Sequence, residues 1–66
     1  MTRKELIALC EDVVRDCAYL CDNEPENTEL DRDLKFYQIA LNLAKFDPNI
    51  TDCEEWADTH GLVDFI

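Results

Sequence analysis

Two segments of this chain repeat the same 4-3-4-3 spacing of apolar residues, and a short polar stretch separates them. Leu6, Cys10, Val13, Cys17 and Leu20 form the first series, and Leu30, Leu34, Tyr37, Leu41 and Ala44 the second. That spacing averages 3.5 residues, which keeps side chains on one seam of an α-helix and is incompatible with the two-residue period of a strand. Ile7, Val14 and Cys21 widen the first seam on one side and Leu9 on the other. Between the series lies DNEPEN, residues 22–27, with no apolar residue and one proline, so it reads as a turn. Matching seams on either side of a short turn predict an antiparallel helical hairpin.

Helix boundaries follow from a recurring start signal. Thr2, Thr28 and Thr51 are each followed three residues later by an acid, in TRKE, TELD and TDCE. This is the capping-box pattern, in which the threonine oxygen takes a free backbone N–H and the acid reaches back to the threonine N–H. With these three as N-caps, the expected helices are 3–22, 29–46 and a short third one at 52–60. DPN at 47–49 stops the second, because the residue before a proline avoids the helical region. Gly61 terminates the third in the left-handed conformation, and the apolar tail LVDFI follows. The fold class expected is all-α, as one domain of 66 residues.

The middle helix has more apolar surface than one neighbour covers. Phe36, Ile39, Leu43 and Phe46 form a second stripe beside the first seam. At 100° per residue the two together span roughly 240° of the circumference, where an ordinary surface helix needs little more than 100°. Lys35, Gln38, Asn42, Lys45 and Asp31 fill the remainder. Full burial of one Phe is worth about 1.5–3 kcal/mol, so a small fold gains by covering this stripe. Two covers are open: Trp56, Leu62, Val63, Phe65 and Ile66 folding back over it, or a second copy in a symmetric dimer with Phe36 and Phe46 near the axis.

Charge narrows the partners. Sixteen acids face six Lys and Arg, for a net charge of −10. Such a chain is repelled by DNA, RNA and anionic membranes, while basic proteins attract it. Solubility alone also accounts for a charge of this size. Acids at Glu29, Asp31, Asp52, Glu54 and Glu55 suit first turns of helices, where the dipole favours them. Glu24, Glu26 and Asp58 do not follow from that rule, and with Asp33 they make up a candidate acidic surface. Tyr19, opposite the first seam among charged residues, is a candidate partner contact or an ordinary exposed aromatic.

The chemistry-bearing residues argue for structure over catalysis. Cys17 and Cys21 lie one turn apart, and Cys53 shares a helix face with His60, which sketches a Cys₃His zinc set. Yet Cys10, Cys17 and Cys53 fall where small core residues belong, so no metal or other cofactor is expected. The chain contains no serine, which removes a serine nucleophile and the attachment point of an acyl carrier. A calcium loop is absent. A Cys–His pair seven helical positions apart lies about 10 Å apart along the axis, too far for proton transfer, so no catalytic residue is assigned and the chain is read as a non-enzyme. His60 suits a helix C-terminus as a cation.

No apolar run is long enough to span a bilayer, and acids interrupt MTRKELIALCEDVV before it resembles a signal peptide. A cytoplasmic protein with reduced thiols is expected. The MTRKEL start, the small size, the acidity and the reduced cysteines together resemble the small acidic helical accessory proteins encoded in early regions of bacteriophages. That resemblance implies a regulator that binds another protein and alters its activity, here as a homodimer. A nucleic-acid mimic occupying a basic cleft is the alternative, and a cysteine-based metal or redox module the second alternative.

Overall fold

In the computed structural model of this protein, the described residues are 1–62. They are all-helical: α1 (Arg3–Asn23), α2 (Thr28–Phe46) and α3 (Cys53–Thr59), with no strand among them. The helices begin and end within a residue or two of the positions expected from sequence. α1 and α2 run antiparallel. The start of α1 meets the end of α2 where the Arg3 guanidinium bonds the Ala44 carbonyl at 3.1 Å, and further along Cys17 Sγ donates to the Leu30 carbonyl at 3.6 Å. The molecule is elongated, 37 × 19 × 17 Å.

One of the three expected caps is in place and two shift by a residue. Thr2 caps α1 in a full capping box: its Oγ1 accepts the Glu5 N–H at 3.1 Å, and its own N–H donates to Glu5 Oε1 at 3.0 Å. Thr28 is not the N-cap of α2. Asn27 is, its Oδ1 accepting the N–H groups of Glu29 and Leu30. Thr51 is not the N-cap of α3 either, since Asp52 Oδ1 accepts the Glu55 N–H at 3.1 Å. Asn and Asp outrank Thr as caps, so where one stands next to a threonine it takes the position. At the start of α1 Thr2 has no such neighbour.

Helix α3 ends in a Schellman motif. Gly61 has φ +71°, its N–H donates to the Asp58 carbonyl, and the Leu62 N–H donates to the Ala57 carbonyl. Both outer carbonyl bonds of the motif are thus made. The hydrophobic contact that accompanies the motif is present too, because Ala57 and Leu62 are both fully buried in one cluster.

That cluster is the core. Leu6, Cys10 and Val13 from α1, Ala44 from α2, Ile50 from the connecting loop, Cys53 and Ala57 from α3, and Leu62 pack together at one end of the hairpin. Towards the 24–27 turn only Cys17 of the expected α1 seam remains buried, and Leu20 is exposed. The seam thins there because α3 covers only the other end. Leu62 therefore packs into the core and does not fold over the second α2 stripe, contrary to one of the two covers expected. Val63, Phe65 and Ile66 of that cover lie outside the described residues.

Candidate interaction surface

The largest side chains and the core part company in this protein. Among the described residues, four of the ten buried apolar residues are cysteine or alanine at full or near-full burial in the two hairpin helices, Cys10, Cys17, Ala40 and Ala44, and the last two are the only residues that α2 buries. Meanwhile Phe36, Ile39, Leu43 and Phe46 are 47, 61, 39 and 78% exposed. Ala40 explains part of this. It completes an i, i+3, i+4, i+7 group with Tyr37, Leu41 and Ala44 and is 2% exposed. The large residues are left on the other side of α2. The stripe is legible in the sequence periodicity; Ala40 falls off the 4-3-4-3 seam, and its spacing from Tyr37 and Ala44 is the signal that marks it.

All four stripe residues share one outward face of α2. Ile39, Asn42, Leu43, Phe46 and Asp47 line an open depression of about 390 Å³ on it. At its N-terminal edge Phe36 packs edge-on against Tyr37, with centroids 5.3 Å apart, and stacks loosely with His60 at 6.2 Å. His60 in turn stacks on Trp56 at 3.9 Å. Trp56 and His60 thus border the stripe at one edge without covering Ile39, Leu43 or Phe46.

His60 is held as a structural residue. It is the C-cap of α3, and its Nδ1 donates to the Trp56 carbonyl at 2.7 Å. Because a carbonyl only accepts, the Nδ1 carries the proton. All four cysteines are free thiols. Burial pushes the Cys10 thiol up, with Glu11 adding to it, and burial followed by the neighbouring Cys21 and Asp33 raises Cys17. These shifts oppose thiolate formation, on which nucleophilic or metal-ligating cysteines depend. Among the described residues no group of three His, Cys, Asp or Glu side chains is placed to hold a metal ion, so Cys17, Cys21, Cys53 and His60 do not assemble into the sketched set.

The remaining candidates do not converge. Tyr19 is 68% exposed on α1, about opposite its packed seam, and is not brought to the α2 stripe. Glu24 and Glu26 stand at the hairpin turn, Asp33 near the start of α2, and Asp58 on α3; all four are exposed. Since α3 packs at the end of the hairpin away from the turn, these acids form separate corners. Among the described residues, ion pairs join Asp12 to Arg15 and Asp31 to Lys35, both at exposed positions. No described helix is long and apolar enough to cross a membrane. No family model, curated protein or solved structure matches this chain.

Proposed function

We propose that this protein is a non-enzymatic regulator that binds and modulates another protein, acting as a helical homodimer. The observation that carries the reading is an inversion on α2: it buries only Ala40 and Ala44, while its two phenylalanines, its isoleucine and Leu43 lie in one exposed stripe. Single exposed apolar residues need no explanation, but a contiguous large-residue stripe on one helix is the hallmark of an interaction surface. Thiols pushed up by burial, and a histidine ring committed to a backbone carbonyl, support a binding role over a catalytic one. The resemblance in size and acidity to early-region bacteriophage accessory proteins fits a protein that works by attaching to a larger one.

The test is capture from the native cytoplasm by the wild-type chain and by Phe36→Glu plus Phe46→Glu, followed by binding of the identified partner in purified form. Loss of binding in the variant, with helicity retained, supports the stripe as the surface. Equal capture by both chains overturns it.

The acidic surface favours a second reading, a mimic of nucleic acid. Exposed acids outnumber the two ion pairs found among the described residues, so most of the negative field is uncompensated. A partner held that way dissociates as salt rises, whereas an unlike partner of little net charge held on the stripe barely responds.

A further inference from the structure

We propose that the exposed face of α2 is covered by the same face of a second copy, the two α2 helices running antiparallel with Arg32 of each copy beside Asp47 of the other. This rests on the reading of the stripe as a binding surface, and adds a second copy as its occupant in the free protein, together with the register; an unlike partner on the same face displaces that copy.

Three observations carry it. First, residues 34–46, LKFYQIALNLAKF, contain no acid in a chain that has sixteen, and no other stretch runs as long without one. Two copies meeting elsewhere would set carboxylates against carboxylates. Second, the stripe extends at both ends into charge. Arg32, Phe36, Ile39, Leu43 and Phe46 repeat the 4-3-4-3 spacing, so Arg32 lies on the same seam as the four apolar residues. Asp47, four residues beyond Leu43, borders the depression at the other end. Among the described residues no ion pair involves Arg32. An isologous interface must be self-complementary. Parallel helices would set Arg32 on Arg32 and Asp47 on Asp47. Antiparallel helices place unlike charges together at both ends, by symmetry.

Third, the area bounds the kind of interface. The four exposures, scaled to side chains of aromatic and aliphatic size, amount to about 400 Å² per chain. Two such faces fall below the size of a standard stable interface, so the dimer is a weak, reversible one.

Sedimentation velocity from micromolar to millimolar chain concentration, with circular dichroism as a fold check, tests this. The wild type is expected to pass from monomer to dimer across that range. At about 0.15 M salt or above, where the repulsion between the two net charges is screened, Arg32→Gln and Asp47→Asn are each expected to weaken association about three- to tenfold, since each removes both symmetry-related pairs. Asp47→Asn keeps the oxygen that accepts the Asn49 N–H, so the turn after α2 is preserved. The double variant is expected to be no weaker than either single one, the signature of a coupled pair. Multiplied losses, or single variants that associate like the wild type, overturn the register. A wild type that stays monomeric throughout overturns self-association, and leaves the stripe as a surface for an unlike protein if Phe36→Glu plus Phe46→Glu still abolishes that binding. A Phe36→Glu plus Phe46→Glu chain that dimerises like the wild type overturns this inference, whereas the stripe as a surface for an unlike protein is overturned only by equal capture of that protein by both chains.

Discussion

Gly61 ends α3 at a φ of +71° and turns Leu62 into the core. No atom lies within 4 Å of the position a Cβ would take there, so a larger residue meets backbone strain and no steric clash. Gly61→Ala is therefore expected to destabilise the fold by about 1 kcal/mol, read as a lower denaturation midpoint with unchanged helicity. The caps allow a comparable test between adjacent residues. Asn27→Ala and Asp52→Ala are each expected to cost about 1 kcal/mol, whereas Thr28→Ala and Thr51→Ala leave stability within a few tenths of that unit. Equal losses at Thr28 and Asn27 would contradict the assignment. The threonine-to-acid spacing located all three helix starts, because the pattern marks where a helix begins. It missed two capping atoms, because Asn27 and Asp52 compete locally with their neighbours and a motif read alone does not weigh that competition.

Arg3 joins three elements. Its guanidinium sits at the start of α1 and donates to Ala44 in the last turn of α2 and to Ile50 in the loop before α3, at 3.1 and 3.3 Å. A cation at that place also opposes the negative end of the α2 dipole. Nothing in the apolar periodicity reveals this contact, since it spans more than forty residues and ends on backbone carbonyls. Arg3→Ala is expected to lower stability by about 1–3 kcal/mol. Arg3→Lys restores only part of that loss, because an ammonium does not fork between two carbonyls; chemical denaturation of the three chains checks it. The seams were legible because 4-3-4-3 spacing fixes a helix face. Their outcome at Leu20 was not, because exposure there depends on how far α3 reaches. Burial of Cys10, Cys17 and Tyr37 within and beside this packing raises all three ionisation points. A raised folded-state value means stability that is complete below the unfolded value and lost as pH rises through the folded one. The melting temperature is thus expected to hold near neutrality and fall above about pH 8.5, where free thiols ionise. Cys21, the least buried of the four thiols, is expected to react first with a thiol reagent at neutral pH.

At the scale of the whole molecule, salt separates the two proposed modes of action by sign. Each copy carries a net charge of −10 and is 17–19 Å across its short axes. Two copies side by side, treated as point charges in water, repel by on the order of 20 kcal/mol before screening. The two Arg32–Asp47 pairs return at most about 1 kcal/mol each, so net repulsion governs how dimerisation responds to ions. The Debye length is about 30 Å at 0.01 M salt and about 8 Å at 0.15 M. It exceeds the width of the molecule in the first case and falls well below it in the second. Self-association through α2 is therefore expected to strengthen as salt rises over that interval and to level off beyond it. Binding of the acidic corners at Glu24, Glu26 and Asp58 to a basic cleft is expected to weaken over the same interval, because there the charges attract. Sedimentation of the chain alone, and binding of the captured partner, measured at both salt concentrations, give the two signs independently. Self-association that weakens with added salt would mean that unlike charges, and not the stripe, hold the copies together.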